Sequence, residues 1–424
     1  MRLQPTLLAH AEALVGELLR FAGPADQAVS RYFRANRELG QKDRAFVAEA
    51  VYAVLRRRRS LEAAAGSAAP RALLLAALTR VQGFSARALE GALRPGEQEL
   101  VARARAAREA TWPAAVRADL PDWLWQRLEA EQGTAEAMRI AQGLLNPAPL
   151  DLRVNLARTD RESVLAALAL SGVDSVPTPY SPAGIRLAGK PAINRHPLFE
   201  QGLIEVQDEG SQLLAYLVAP RRGEMVADFC AGAGGKTLAL AMIMRGAGRL
   251  YAMDVSAKRL HALAPRAARA GVSNVHPLAL ASEGDVRAKR LAGKLDRVLV
   301  DAPCSGFGTL RRNPDLKWRH GPDAIVELAQ KQFSILRAAA HLVKPGGRLV
   351  YATCSILGAE NEAVVERFAA AHPEFTALSC GELLAGQRIP LPAGEHLRLW
   401  PHLHSTDGFF AAAMERRGSA QSSA

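Results

Sequence analysis

The fold is decided by a stretch that reads MVADFCAGAGGKT over residues 225–237. An apolar strand pattern over 225–229 leads into a loop of small residues, and a helical pattern begins at Lys236. Glycine lets a backbone approach a ligand closely, and the N-terminus of a following helix attracts polar groups of that ligand. The stretch therefore predicts a strand, a ligand-binding turn and a helix.

Strand and helix patterns keep alternating after this stretch. A helical pattern covers 257–270, and further apolar strand patterns occur at 250–253, 275–280, 297–300 and 348–351. Such alternation predicts a parallel sheet covered on both faces by helices, with the ligand at the carboxyl ends of the strands. This is the architecture of a Rossmann-type α/β domain, which we expect over 211–418.

Two other regions precede this domain. Apolar residues recur at helical spacing from Thr6 to about Arg108, which predicts an all-α domain that we extend over 1–140. Residues 150–154 alternate like a strand and 159–170 read as a helix, so a small α+β module is expected over 145–210. The last residues, 419–424, are predicted to be a disordered tail.

The charge balance points to a polyanionic partner. The 424 residues include 54 Lys and Arg against 42 Asp and Glu, for a net charge of +12. An excess of this size attracts nucleic acid through counterion release, although many basic proteins bind none. The run Arg56–Arg59 is either a solvated helix end or a set of phosphate contacts.

The cysteines exclude several classes of protein. The four cysteines form no C-x-x-C pair and have no His at metal-ligand spacing, so neither a metal site nor a disulfide framework is expected. Free thiols indicate a reducing compartment.

The N-terminal pattern lacks the apolar core of a signal peptide, and no run is long enough to span a bilayer. We expect a soluble protein in the cytoplasm.

Three ligand classes compete for the glycine loop. A phosphate-binding P-loop needs glycine where Cys230 stands, and a dinucleotide fingerprint needs it where Thr237 stands. The third class, S-adenosylmethionine, carries no phosphate at its methionine end and suits a short loop. Asp254 ends the second strand pattern, where a carboxylate can accept both ribose hydroxyls, although this does not exclude NAD. Ser282, Glu283 and Asp285 are candidates for the adenine side.

Two further cysteines end strand patterns, in DAPC at 301–304 and in YATC at 351–354, and each is followed by serine. Carbon 5 of cytosine is a poor nucleophile until a thiolate adds to carbon 6 and makes carbon 5 enamine-like. Such chemistry needs one cysteine to attack, and a second acid or base speeds release. Cys304 and Cys354 supply a pair of this kind. Cys230 reads as a packing residue with backbone contacts, and Cys380 as inert.

Several of these blocks together resemble the RsmB/Nop/Sun family of RNA cytosine-5 methyltransferases. The family's signature blocks resemble seven segments of this sequence: residues 207–211, 230–237, 301–306, 311–318, 351–355, 360–362 and 407–410. The helical front is similar to a NusB-like RNA-binding domain, which implies the bacterial RsmB branch and a small-subunit (16S) ribosomal RNA substrate. The resemblance covers nearly the whole chain.

The resemblance implies a role for each site residue. Cys354 is the implied nucleophile and Cys304 assists release, whereas DNA enzymes attack with the Pro-Cys cysteine. Asp301 is expected to bind the cofactor or the cytosine edge, and Trp318 to stack on a base or anchor its loop. Taken together, the residues that we expect to bind S-adenosylmethionine are Cys230, Ala231, Gly232, Ala233, Gly234, Gly235, Lys236, Asp254, Asp285 and Asp301.

The sequence also departs from the family pattern and leaves rival functions open. Ala233 stands where proline is frequent, and Ser282 stands where an adenine-side Asp is expected. A non-catalytic RNA-binding assembly factor is one rival, although retention of both cysteines, Lys236, Asp254 and Asp301 argues against it. Methylation of an exocyclic nitrogen would use an Asn/Asp-Pro-Pro-Tyr/Phe loop in place of DAPC at 301–304. Transfer RNA or another RNA is the alternative substrate.

Overall fold

The structure, a computed structural model, describes residues 3–418, and contacts between residues divide the chain into two compact units. The first unit runs to Pro147 and also includes Thr309–Pro322, and the second consists of Ala148–Gly308 and the chain from Asp323 onward. The predicted domain bounds of 1–140, 145–210 and 211–418 stay predictions. The predicted tail, 419–424, lies outside the described residues.

The first unit is helical over residues 5–145, which confirms the all-α prediction there. The helix α5 (Pro70–Arg80) is central to its core, because every residue of 72–79 is buried. Proline at its first position and Gly66 in the left-handed conformation after the preceding helix set the two helix boundaries. The helices are α1 (Pro5–Leu18), α2 (Ala25–Ala35), α3 (Gln41–Arg56), α4 (Arg58–Ala65), α5, α6 (Ala86–Leu89), α7 (Glu97–Ala106), α8 (Ala114–Arg117), α9 (Asp122–Gln132) and α10 (Thr134–Leu145).

The second unit begins with a four-stranded antiparallel sheet in the order β2-β3-β1-β4. Its elements are β1 (Leu150–Val154), α11 (Arg161–Leu170), β2 (Ser175–Pro177), β3 (Gly184–Leu187), α12 (Pro197–Glu200) and β4 (Ile204–Val206). Val164 and Leu168 of α11 share one core cluster with Leu152 and Val154 of β1. The alternation at 150–154 therefore correctly predicted a strand, since it puts alternate residues on the helix-covered face.

The larger sheet of the second unit has the order β10-β12-β9-β8-β5-β6-β7, with β11 paired to β12. Neighbours from β9 through β8, β5 and β6 to β7 are parallel, whereas β12 runs antiparallel to β9, β10 and β11. The elements along this part of the chain, of which α18 lies in the first unit, are α13 (Glu209–Val218), β5 (Met225–Asp228), α14 (Gly235–Ile243), β6 (Arg249–Asp254), α15 (Ala257–His261), α16 (Leu263–Ala270), β7 (Val275–Ala279), α17 (Val286–Lys289), β8 (Leu295–Asp301), α18 (Leu316–Arg319), α19 (Pro322–Ala340), β9 (Val343–Thr353), α20 (Glu362–Ala371), β10 (Phe375–Leu378), α21 (Cys380–Ala385), β11 (Leu397–Leu399), α22 (Pro401–His404) and β12 (Phe409–Arg416).

Both faces of this sheet are covered, as the alternating pattern predicts. Within β8, Leu299 joins one buried cluster, while Val298 and Val300 join the cluster on the opposite face. The prediction was wrong in one detail, because the helix expected over 257–270 breaks between α15 and α16. Pro265 explains the break, since its ring would clash with the carbonyl of His261 in a continuous helix.

The segment Thr309–Pro322, which contains α18, belongs to the helical unit. Lys317 Nζ donates to the carbonyl of Arg56 at 2.8 Å, and Trp318 Nε1 donates to the carbonyl of Leu55 at 2.9 Å. The Arg58 guanidinium lies 5.3 Å from the centre of the Trp318 ring. Of the two interpretations of Trp318, the structure supports the one in which it anchors its own loop.

The same contacts change the interpretation of the run Arg56–Arg59. Arg56 donates to the carbonyl of Arg311 at 3.1 Å, and burial lowers its pKa to about 10. Arg59 donates to Asp122 at 2.6 Å. Because Arg58 covers Trp318, three members of the run already have partners inside the helical unit. The run is therefore neither a purely solvated helix end nor a free set of phosphate contacts.

Within residues 3–418, no single helix is both long and apolar enough to cross a membrane. Helices α4 and α5 pass that test only as a pair, with a bend of 98° between them.

Candidate active site

A cavity of about 490 Å³ opens at the carboxyl ends of the parallel strands of the second unit. Its size falls in the range of small-molecule sites, and its position is the one that doubly wound sheets use for ligands. Its lining combines apolar side chains with a few carboxylates and thiols. The lining residues are Phe229, Cys230, Asp254, Val255, Arg259, Leu280, Ala281, Ser282, Glu283, Asp301, Ala302, Pro303, Cys304, Lys331, Ile335 and Cys354.

The glycine loop joins β5 to α14 through left-handed backbone conformations. Gly234 has φ 85°, and a Cβ added there would lie 2.2 Å from Leu263 Cδ1, so this position requires glycine. Gly232 has φ 55°, and its N–H donates to Asp254 Oδ2 at 2.8 Å. Of the predicted loop residues 230–236, Cys230 lines the cavity, whereas 231–236 are not among its lining residues.

The Asp254 carboxylate is held in a fixed orientation at the end of β6. Besides the Gly232 N–H, it accepts the N–H of Ser256 at 2.7 Å. The Arg259 guanidinium lies 3.8 Å away on the exposed side. A carboxylate has acceptor positions beyond the two that these backbone donors occupy, so Asp254 can still accept hydroxyl groups from the cavity.

The loop after β7 brings Ser282 and Glu283 to the cavity but not Asp285. Asp285 accepts the N–H of Ala281 at 2.7 Å and pairs with Arg287 at 2.8 Å. The hydrogen bond from Arg287 and those from backbone N–H groups hold the Asp285 pKa far below its usual value. Asp285 therefore caps α17, and of the three adenine-side candidates the other two border the cavity.

A partly buried ion pair joins the glycine loop to the end of β8. Lys236 Nζ lies 2.7 Å from Asp301 Oδ2. Burial disfavours the charged ammonium, but the charge and hydrogen bond of Asp301 outweigh that effect and raise the Lys236 pKa. Nearby, burial raises the pKa of Asp228 to about 7; one of its oxygens accepts the Thr237 hydroxyl at 2.7 Å.

The two predicted cysteines meet at the cavity wall. Cys304 follows β8 and Cys354 follows β9, which are parallel neighbours, and their Sγ atoms are 3.4 Å apart. The hydrogen bond with Cys354, reinforced by burial, raises the Cys304 pKa well above its usual value. Cys304 therefore stays a protonated thiol near neutral pH and can donate to Cys354 Sγ. Cys230 also lines the cavity, and burial raises its pKa too. Cys380 lies in the core and does not line the cavity.

Sequence reasoning assigned no role to Glu360, which is fully buried beside the cysteine loops. Its carboxylate accepts the N–H of Ser305 at 2.8 Å, the Ser305 hydroxyl at 2.5 Å and the Ser355 hydroxyl at 2.5 Å. Gln332 adds a fourth hydrogen bond, from Nε2 at 3.0 Å. The sequence showed that a serine follows each cysteine, but it did not show that both serines bind the carboxylate of Glu360.

In the part of the chain that the structure describes, no group of three or more His, Cys, Asp or Glu side chains could hold a metal ion.

Two family models match the chain. Residues 215–415 match the model described as 16S rRNA methyltransferase RsmB/F, and residues 120–194 match the ferredoxin-like domain of RsmF/B-like methyltransferases. The second match begins earlier than the predicted small module, because it includes α9 and α10.

Curated relatives and a solved structure extend this similarity. The chain is 33% identical over 337 residues to the probable ribosomal RNA small subunit methyltransferase B of Bacillus subtilis. These aligned residues make up 78% of this chain and 74% of the Bacillus protein. The chain is 38% identical over 301 residues to the protein of the same name from Synechocystis, covering 70% and 66% of the two chains. The crystal structure of PH0851 is 27% identical, with a TM-score of 0.79 over 98% of this chain and 100% of that chain.

Proposed function

The chain belongs to the RsmB/Nop/Sun family of RNA methyltransferases, and from that premise we propose that it methylates carbon 5 of a cytosine in RNA, with S-adenosylmethionine as cofactor. One observation carries the proposal. Two thiols from adjacent strand ends lie 3.4 Å apart at the wall of a cavity that also contains a carboxylate suited to ribose hydroxyls. An exocyclic nitrogen would need no thiol pair.

The cavity residues fit S-adenosylmethionine. Asp254, held by two backbone N–H groups, would accept the ribose hydroxyls, and the apolar side chains of Leu280 and Ile335 would flank the adenine. When bound, the cofactor supplies a methyl group on an electrophilic sulfonium. Ser282 and Glu283 are better placed for the adenine amino group than Asp285, because they border the cavity.

We assign the attack to Cys354 and the release to Cys304. We assign the donor role in the 3.4 Å contact between the two sulfurs to Cys304, so that Cys354 Sγ is the acceptor and the sulfur that adds to carbon 6 of the cytosine. Addition makes carbon 5 nucleophilic. After methylation, loss of the carbon-5 proton re-forms the double bond between carbons 5 and 6 and expels the Cys354 thiolate.

The cause of the high Cys304 pKa explains how the Cys304 thiol can act first as a hydrogen-bond donor to Cys354 and later as the base that removes the carbon-5 proton. The largest contribution comes from the hydrogen bond with Cys354, and the charge of Cys354 adds to it. The charge contribution vanishes once Cys354 is bonded to carbon 6, since a thioether carries no charge, and the hydrogen bond weakens because a thioether sulfur is a weak acceptor. The Cys304 pKa should then fall, so that Cys304 can release its own proton to water in the open cavity and, as a thiolate, accept the proton from carbon 5.

The remaining assignments follow from family membership. The curated relatives are named as small-subunit ribosomal RNA methyltransferases, so we propose 16S ribosomal RNA as the substrate and the cytoplasm as the place of action. The net charge of +12 supports a nucleic-acid partner. We assign RNA binding to the helical unit as a NusB-like domain. A non-catalytic RNA-binding role is less well supported, because it gives the paired thiols no purpose.

Single substitutions of the cysteines test the mechanism. Cys354→Ala should abolish methylation and trap no RNA. Cys304→Ala should still permit attack and methyl transfer, but it should accumulate a protein–RNA adduct that survives denaturing electrophoresis. Cys380→Ala is the matched control, because Cys380 is buried away from the cavity, and it should keep normal turnover without an adduct.

The opposite pattern would reverse the two roles. If Cys354→Ala traps RNA and Cys304→Ala does not, Cys304 is the nucleophile. If neither variant traps RNA and both still methylate it, covalent catalysis is wrong. Bisulfite sequencing of ribosomal RNA from a deletion strain identifies the modified nucleotide, and an unchanged pattern would exclude ribosomal RNA as the substrate.

A further inference from the structure

Each of the two cysteine loops is held on both sides of its cysteine. Before Cys304, the carbonyl of Pro303 accepts a hydrogen bond from Gln332 Nε2 at 3.0 Å, and after it the N–H of Ser305 donates to Glu360 Oε1 at 2.8 Å. The sulfur of Cys304 therefore projects from a backbone that is fixed at both neighbouring residues.

The Cys354 loop is held in the same way. Thr353 Oγ1 donates to Asn361 Oδ1 at 2.6 Å, and Ser355 Oγ donates to Glu360 Oε2 at 2.5 Å. Asn361 also donates from Nδ2 to the carbonyl of Ser355 at 3.1 Å. The residue after each cysteine thus binds the same carboxylate.

We infer that Glu360 is a positioning residue, whose carboxylate sets the distance between Cys304 and Cys354 by binding the two serines that follow them. Glu360 does not line the cavity, so it acts through the two loops. The inference deepens the proposed function, since the pair that Glu360 positions is the proposed catalytic pair. The distance it controls can be measured without any methylation.

The hydrogen-bonding pattern makes this position specific for a carboxylate. Oε1 receives the Ser305 N–H and the Gln332 amide, and Oε2 receives the hydroxyls of Ser305 and Ser355. Glutamine at 360 would put its NH2 group either against the Ser305 N–H and the Gln332 amide, which are donors, or against the two serine hydroxyls, which would then have to turn and accept instead of donate. Because the site is fully buried, no water can replace the lost acceptor without opening the loops.

An aryl arsenoxide measures how close the two thiols are. Its arsenic(III) condenses with two thiols at once, so that two As–S bonds form and the oxygen leaves as water, with no change in oxidation state. Wild-type protein should bind one p-aminophenylarsine oxide tightly, and Cys304→Ala and Cys354→Ala should each lose that binding.

Glu360→Gln should weaken arsenical binding by about tenfold or more, because separating the loops lowers the chance that one arsenic reaches both sulfurs. The matched control is Glu362→Gln, which removes a carboxylate two residues away that pairs with Arg398 and not with either cysteine loop. Phe368→Leu, a core change on α20, controls for lost stability. Both controls should bind the arsenical like the wild type.

A second variant keeps the test decisive if Glu360→Gln folds poorly. Ser305→Ala combined with Ser355→Ala removes the two hydroxyl donors but leaves the carboxylate in place, and it should also weaken binding. If a folded variant of either kind binds the arsenical as tightly as the wild type, Glu360 does not position the thiols. If Glu360→Gln loses no more arsenical binding than Phe368→Leu does, the loss reflects lower stability, and the inference is overturned too.

Methylation assays on the same proteins separate this inference from the proposed function. Wild-type protein that holds the arsenical but does not methylate RNA would refute the proposed activity and leave the positioning role supported. If the wild type methylates RNA and Glu360→Gln does so at the same kcat, the positioning role fails and the activity stands. The expected result is a lower kcat with unchanged affinity for S-adenosylmethionine.

Discussion

Asp228→Asn should stabilise the region around the glycine loop at neutral and alkaline pH. Asp228 ends β5, is 1% exposed, and has one carboxylate oxygen without a hydrogen-bond partner. Burial raises its pKa to about 7, with a smaller contribution from the charge of Asp301. In an unfolded chain the pKa of aspartate is about 3.9.

The sign follows from proton uptake. Between about pH 4 and pH 7 the folded protein holds a proton on Asp228 that the unfolded chain has lost, so stability from this group falls as pH rises and is lost once pH passes the folded pKa. A difference of about 3 pKa units at about 1.36 kcal/mol each gives about 4 kcal/mol, an upper bound because the surroundings can relax. Asparagine resembles the protonated acid and escapes this loss. Its advantage should therefore be small near pH 4 and reach up to about 4 kcal/mol above pH 7.

Hydrogen exchange of the β5 peptide, measured by mass spectrometry from pH 5 to pH 8, reports this local stability without assuming that both units unfold together. The difference in the opening free energy of β5 between Asp228→Asn and wild type should increase by more than about 2 kcal/mol over that range. Asp174→Asn, at an exposed position, is the control and should show no such trend. A gap that stays constant with pH, or a variant that is less protected at pH 8, would refute the reasoning.

Two further predictions concern ligands. Asp254→Ala should weaken S-adenosylmethionine binding by about 10- to 150-fold in titration calorimetry, since a charged hydrogen bond contributes about 1.5–3 kcal/mol. Asp285→Ala should leave the dissociation constant unchanged. Weaker binding by Asp285→Ala and unchanged binding by Asp254→Ala would show that Asp285, not Asp254, contacts the cofactor. Arg34, Arg37 and Lys42 are exposed on the helical unit, so replacing all three with glutamine should flatten the log–log salt dependence of RNA binding by up to about 2 units. Equal slopes for variant and wild type would exclude this surface from RNA contact.

Local patterns in the sequence predicted the features that depend on local order. The strand at 150–154, the turn at 230–237 and the position of each cysteine at a strand end all follow from periodicity or from residues with special backbone freedom. Because carboxyl ends of parallel strands share one edge, the sequence could also predict that Cys304 and Cys354 meet.

Features that depend on distant partners could not be predicted in this way. Glu360 is 55 residues from Ser305 along the chain, and no periodicity reveals that one carboxylate binds both serines. Asp285 is a different case, because its partners Arg287 and the N–H of Ala281 are close in sequence, but the pattern did not indicate whether its carboxylate would bind them or face the cavity. The run Arg56–Arg59 looked available to phosphate because two of its partners, Arg311 and Trp318, lie more than 250 residues away.

The segment Thr309–Pro322 makes the two units inseparable as genetic modules. The chain passes from one unit to the other at 147/148, at 308/309 and again at 322/323, so a cut at a single linear boundary cannot release either of them whole. A fragment that starts at Ala148 would carry Lys317 and Trp318 without the backbone carbonyls that they bind. A chimaera that exchanges the helical unit between relatives must therefore transplant two stretches of sequence, and recombination that moves one alone should yield misfolded protein.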